Sequence, residues 1–120
     1  MKLNLQRYPA SRQTLAGLFC LVALTSLPAW AQDVAAQLAL GKKLFMQGAV
    51  PVCSVCHTLK DAGASGAIGP VLDELKPDAQ RVAKALRNGI GQMPSYMVSL
   101  SEAQILALAH YVSKASGAAN

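Results

Sequence analysis

Hydrophobic and polar positions divide the chain into patterned stretches separated by glycine- and proline-rich ones. Leu15 to Leu27 is an apolar run without a polar face. Asp33 to Gln47 carries Val34, Leu38, Gly41 and Phe45 at spacings of four, three and four, the period of one helix face. Asp33 is its expected N-cap, and Gly48 and Pro51 its expected stop. Gly41 costs a helix about 1 kcal/mol relative to alanine, so close approach of another helix is expected there. Thr58 to Leu75 holds Gly63, Gly66, Gly69 and Pro70 without a sustained period, which predicts a loop. Pro77 and Asp78 open a helix that runs to Asn88 and stops at Gly89. Its predicted buried stripe is Val82, Ala85 and Leu86, with Arg81, Lys84 and Arg87 on a solvated face. Gly89 to Tyr96 predicts an extended, constrained loop around Met93. Ser101 and Gln104 form a capping box, and Leu100 with Ile105 a hydrophobic staple. Ile105, Leu108, Tyr111 and Val112 then repeat at helical spacing, and Ser116 to Asn120 reads as a frayed tail. The pattern is that of one small all-α domain with about three main helices.

Charge changes the picture at the N-terminus. Lys2, Arg7 and Arg12 precede the apolar run without any acid, and Ala29-Trp30-Ala31 follows as an A-x-A cleavage site. Residues 1–31 therefore read as a secretory signal peptide and 32–120 as the mature domain, exported to the periplasm. The apolar run is short for a membrane span, so no stable membrane insertion is expected after cleavage. Cys20 follows Phe19, which does not suit a lipoprotein cleavage site; its expected role is that of an apolar residue lost with the signal. The net charge of +5 includes those three basic residues and falls to +2 without them. The basic balance thus belongs largely to the signal and does not point to nucleic acid.

The remaining cysteines lie in Cys53-Ser54-Val55-Cys56-His57, a C-x-x-C-H stretch. This spacing is the attachment signature of c-type haem. Two thiols about one helical turn apart each add to one vinyl group, and the following histidine reaches the iron. One rival is a redox disulfide, which wants a βαβ setting. The other is a zinc site, which wants four ligands. No strand pattern surrounds the motif, and after His57 only His110 remains, in a segment that reads as an amphipathic helix. His110 is expected at the surface. A small domain gains stability from a covalently held haem that its apolar face packs.

Four further roles follow from that assignment. The Pro70 carbonyl is the expected acceptor for the second imidazole N–H of His57. Met93, a soft thioether in a glycine-rich loop closed by Pro94, is the expected sixth ligand, with Met97 and Met46 as competitors. A propionate partner is sought among Arg81, Lys84 and Arg87. Val50, Pro51, Val52, Pro94 and Tyr96 are expected to form the docking face beside the haem edge. With His57 and Met93 both on the iron no coordination position is open, so the expected chemistry is outer-sphere electron transfer rather than peroxidase-like catalysis.

Gly41-x-x-x-Phe45, C-x-x-C-H at Cys53 to His57, Gly69-Pro70, Met93-Pro94 and Tyr111 together resemble the small class I cytochrome c family over nearly the whole mature chain. The resemblance implies a first and a last helix crossing near Gly41, Phe45 and Tyr111, and a short haem-attachment helix. His57-Thr58-Leu59-Lys60-Asp61-Ala62-Gly63 and the loops from Gly69 to Asp78 and from Arg87 to Pro94 are similar to those of the cytochrome c subunit of bacterial sulfite dehydrogenase. That resemblance implies a molybdenum-cofactor subunit as electron donor and a soluble cytochrome c as acceptor. The chain would then be the electron-transfer subunit of an enzyme and not catalytic by itself. A free periplasmic carrier between other redox proteins is the competing expectation.

Overall fold

The computed structural model describes residues 29–118, with side chains from residue 33 onward. The expected signal segment to residue 28, Cys20 within it, and the last two residues lie outside the described residues. Helix α1 spans Ala29–Lys43 and continues through a π-helical turn, Leu44–Gly48. It begins ahead of Asp33, which is therefore inside the helix rather than its cap. The residues from Ala29 to Gln32 are adequate helix formers, so nothing stops the helix there. Val34 is exposed, Leu38 half-buried, and Gly41, Leu44 and Phe45 buried, so the buried face starts later than its periodicity suggests.

Helix α2 is the single turn Cys53–Cys56. Strands β1 (Thr58–Leu59) and β2 (Ala64–Ser65) follow as a small antiparallel pair, in the register Thr58 to Ser65 and Leu59 to Ala64. A 3₁₀ turn, Lys60–Ala62, joins them, and Gly63 closes it with φ of 63°. Helix α3 is another single turn, Leu72–Leu75. The predicted loop thus holds four short elements, each too brief to show a hydrophobic period.

Helix α4 spans Ala79–Asn88. The Asp78 carboxylate caps it by accepting from the Arg81 backbone N–H at 2.8 Å, and Gly89 ends it at φ of 71°. Ala83 and Leu86 are the buried positions, while Val82 and Ala85 are half-buried. Arg87 is not free in solvent as expected. Its guanidinium pairs with Glu102, Nε donating to Oε2 at 3.2 Å.

Helix α5 spans Glu102–Ala115 and carries the expected capping box. The Gln104 N–H donates to Ser101 Oγ at 3.3 Å, and Gln104 Oε1 accepts from the Ser101 N–H at 2.8 Å. Leu100 and Ile105 are both buried. Of the expected frayed tail, Ser116 to Ala118 instead form a helix cap. Gly117 N–H bonds the Lys114 carbonyl and Ala118 N–H the Ser113 carbonyl, with Gly117 at φ of 75°, which is a Schellman cap.

The three main helices meet around α5, which packs on α1 and on α4. At the α1–α5 crossing the Cβ position of Gly41 falls against the Ala107 carbonyl and Tyr111 Cβ, so only glycine admits this approach. Phe45 and Tyr111 meet edge to face at 6.1 Å and 64°. Tyr111 also reaches across to the 3₁₀ turn, its hydroxyl donating to Asp61 Oδ2 at 2.7 Å. Lys42 Nζ donates to the Asp61 carbonyl at 2.6 Å and to Oδ2 at 3.1 Å. One carboxylate thereby joins α1, α5 and the β1–β2 segment. The Tyr111 hydrogen bond and then Lys42 hold the Asp61 carboxyl below the usual carboxylate range.

Candidate haem site

A largely apolar cavity of about 740 Å³ opens between α2, the loop after β2, α4, the Met93 loop and α5. That volume lies in the range of sites for sizeable organic cofactors. Cys53, Cys56, His57, Pro70 and Met93 all line it, with Val82, Leu86, Leu108 and Val112 supplying apolar wall. The sequence therefore brought its four candidate site residues to one place.

Helix α2 places the thiols at its two ends and hands the chain to His57 in extended conformation, φ of −108° and ψ of 140°. No disulfide joins Cys53 and Cys56. Burial, more than any neighbour, pushes the Cys53 thiol up to about 11. Among the described residues no cluster of three or more His, Cys, Asp and Glu side chains forms a metal-binding group, so the zinc rival has no ligand set.

The His57 ring is fixed from two sides. Its Nδ1 lies 3.0 Å from the Pro70 carbonyl, the bond expected from the sequence. An Nδ1–H donating there leaves the Nε2 lone pair free for a metal. Gly69 lies against the ring itself. A Cβ at Gly69 would sit 2.5 Å from His57 Cε1 and 2.7 Å from Nδ1. The same loop folds back on α2, with Gly69 N–H on the Cys56 carbonyl at 2.8 Å and Ile68 N–H on it at 3.1 Å. Gly69-Pro70 is thus more than a turn.

Met93 sits on a tight turn, not in an extended loop. Ile90 and Met93 exchange both backbone hydrogen bonds at 3.0 Å around Gly91 and Gln92, with Gly91 at φ of 57°. A glycine is needed to reverse the chain so abruptly. Of Met46, Met93 and Met97, Met93 alone lines the cavity. Met97 is 54% exposed, and Met46 packs against the core. Arg81 and Lys84 line the cavity and Arg87 does not, which narrows the candidate propionate partners to the first two. His110 is exposed, as expected, beside a shallow groove between α4 and α5.

Of the expected docking face, Pro51 and Pro94 line the cavity and are exposed, Val52 lines it and is half-buried, and Val50, next in sequence to Pro51, is 76% exposed. Tyr96 is not part of that face. It is 3% exposed, and burial pushes its hydroxyl up to about 12. That hydroxyl donates to the Pro51 carbonyl at 2.9 Å, a contact that nothing in the linear pattern signals. Val55, in the single turn α2, and Ile68 and Ile90, in loops, are further exposed apolar residues that stand singly, so no pattern in the sequence marks them.

Comparison with known proteins agrees with this geometry. Residues 36–112 match the family described as cytochrome C oxidase, cbb3-type, subunit III. The crystal structure of the c-type cytochrome SorU from Sinorhizobium meliloti superposes with a TM-score of 0.67 at 50% sequence identity, covering 70% of this chain and 95% of SorU. The chain belongs to the c-type cytochrome family. No match was found among curated proteins.

The cofactor of this cytochrome is one covalently bound haem c, and the residues present fit it. Two cysteines without a disulfide, an imidazole with one nitrogen already engaged, and a thioether face a single apolar cavity. The fold is the expected class I cytochrome c arrangement, with α1, α4 and α5 as main helices and α2 as the attachment turn. Among the described residues no helix is long and apolar enough to cross a membrane. The cytochrome is an electron-transfer protein.

Proposed function

We propose that this cytochrome is the haem subunit of a heteromeric sulfite dehydrogenase, exported to the periplasm after removal of residues 1–31. It would take electrons from a molybdenum-cofactor subunit and pass them to a soluble cytochrome c. Cys53 and Cys56 would hold the haem as thioethers, and His57 and Met93 would be the ligands to its iron. The observation that carries the electron-transfer site is the convergence of those four side chains on one cavity, with the His57 ring already oriented by Pro70. When bound, the haem supplies an iron that cycles between ferric and ferrous. The chain's apolar cavity wall would exclude water from it, His57 and Met93 would ligate it, and Val50, Pro51, Val52 and Pro94 present an uncharged face beside it. The sulfite assignment is supported by the resemblance of the His57–Gly63, Gly69–Asp78 and Arg87–Pro94 loops to the sulfite dehydrogenase cytochrome.

An apolar rim favours a partner that stays bound, because its burial excludes water from a contact without charge steering. Stopped-flow reduction of the haem by sulfite, in the presence of the catalytic subunit, tests this. Val52→Asp should keep the haem spectrum and slow reduction by at least about tenfold, since an unpaired charge in a desolvated interface is heavily penalised. Lys114→Glu, on an exposed position of α5 away from the cavity, should change little. Equal rates for Val52→Asp and wild type would remove this face as the docking site. No haem reduction by sulfite in the wild-type pair would instead favour a free periplasmic carrier.

A further inference from the structure

The turn that carries Met93 is fastened to two different parts of the protein. Toward α4 the ties are local: the Tyr96 N–H donates to the Leu86 carbonyl at 2.7 Å and the Ser95 hydroxyl to the Arg87 carbonyl at 2.5 Å. Toward the haem-attachment segment the tie is the Tyr96 hydroxyl on the Pro51 carbonyl, at 2.9 Å and 45 residues apart in sequence. Among the described residues no backbone hydrogen bond joins residues 89–100 to residues 49–56. Tyr96 follows Met93 by three positions, and Pro51 precedes Cys53 by two. Both Tyr96 and Pro51 line the cavity.

We infer that Tyr96 is a positioning residue for Met93: its hydroxyl latches the Met93 turn to the segment that bears Cys53, and so governs how readily Met93 leaves the iron. The inference rests on the proposed reading that Met93 is the sixth ligand. Methionine has three rotatable side-chain bonds and a weakly basic sulfur, so the place of its thioether is decided by the backbone that carries it. That backbone turns on Gly89 and Gly91, both at positive φ, and is not held by a long helix or a sheet. The Cys53 segment is where the chain is covalently joined to haem. A bond from the Met93 turn to that segment acts directly on the distance between ligand and iron. The bonds toward α4 do not reach that segment.

The test uses the ferric holoprotein and imidazole as competing ligand, read by the far-red charge-transfer band of Met-ligated haem. Tyr96→Phe keeps the ring packing and removes only the hydroxyl. Losing one net hydrogen bond should tighten apparent imidazole binding about fivefold. Tyr111→Phe is the control. It removes a hydroxyl from the Asp61 bond, outside the cavity, and should leave imidazole affinity unchanged even if it lowers thermal stability. Wild-type affinity in Tyr96→Phe would overturn the latch, as would an equal gain in Tyr111→Phe. Met93→Ala separates this failure from that of the underlying reading. If that variant retains the far-red band, Met93 is not the ligand and the inference falls with it. If the band is lost in Met93→Ala while Tyr96→Phe binds imidazole like wild type, only the latch is wrong. The wild-type protein gives a reading that needs no variant. The Tyr96 hydroxyl proton should exchange slowly in NMR spectra and lose protection when imidazole displaces Met93. Protection unchanged by that displacement would also overturn the latch.

Discussion

Gly41→Ala should destabilise the cytochrome although alanine is the better helix residue. In an isolated helix the change would gain about 1 kcal/mol. Here the new methyl would meet the Ala107 carbonyl and Tyr111 Cβ of α5 inside contact distance, with the Ala107 carbonyl carbon at 3.0 Å. All three atoms are backbone or next to it, so no flexible side-chain end can swing away. The helices must separate, and overpacking of this kind costs about 1–3 kcal/mol. Separation also loosens the Phe45–Tyr111 edge contact at 6.1 Å, worth about 1 kcal/mol, and strains the Tyr111 bond to Asp61. The losses exceed the propensity gain by about 1–3 kcal/mol when these magnitudes are combined. For a domain of this size each kcal/mol moves Tm by about 4–8 °C. Thermal unfolding of holoprotein, with urea unfolding to check that the m-value is unchanged, measures the effect. A Tm equal to or above wild type would show that the crossing is not as tight as the geometry says.

Two further changes probe the site and its frame. Gly69→Ala places a methyl 2.5 Å from His57 Cε1, so the ring must leave its bond to Pro70; the yield of low-spin holoprotein should fall, and full yield with an unaltered spectrum would refute the close contact. Asp61→Asn removes a titrating group whose folded pKa is depressed by Tyr111 and then Lys42. A depressed carboxylate stabilises the fold above its unfolded pKa, about 3.9, and loses that contribution as pH falls through the lower folded value. The variant should therefore melt below wild type at neutral pH, by less than about 1 kcal/mol because the carboxylate is half-exposed, and the gap should close in acid; a gap that is constant down to strongly acidic pH would refute the linkage.

The three main helices, the capping box and the residues that meet at the cavity, C-x-x-C-H and Met93, could be read from the chain, because each leaves a local mark. Ile105, Leu108, Tyr111 and Val112 have a period, Ser101 and Gln104 a spacing, and C-x-x-C-H a chemistry with few rivals. Gly41 was legible through its cost: a glycine in a helix face needs a reason, and α5 is that reason. Elements of two to four residues left no period, so β1, β2 and α3 read as loop. Positions set by long-range bonds were equally hidden. Tyr96 looked like part of an exposed rim because it lies three positions from Met93, yet it is buried and its hydroxyl bonds the Pro51 carbonyl across 45 residues. Nothing in the sequence marks Asp61, and only the folded chain brings Lys42 and Tyr111 to it.

The distribution of bonds follows from what the protein must hold. A small domain has little apolar area to spend, and much of it faces the cavity rather than another helix. The α1–α5 crossing is therefore made as close as a backbone permits, through Gly41, and is backed by Phe45 on Tyr111. The loops that carry His57 and Met93 have no helix crossing to lean on, although Tyr96 is buried in the core. Their positions are set by side chain–backbone and loop–helix hydrogen bonds: Pro70 on His57, the Cys56 carbonyl under Gly69, Leu86 and Pro51 on Tyr96. Such bonds fix direction more than they add stability, since each is worth only about 1 kcal/mol net. Direction is what electron transfer requires. An iron that keeps the same two ligands in both oxidation states reorganises little, and that demands ligands held in place more than a deeply stable fold. The rigid crossing supplies the frame, and the hydrogen-bonded loops aim His57 and Met93 into the cavity.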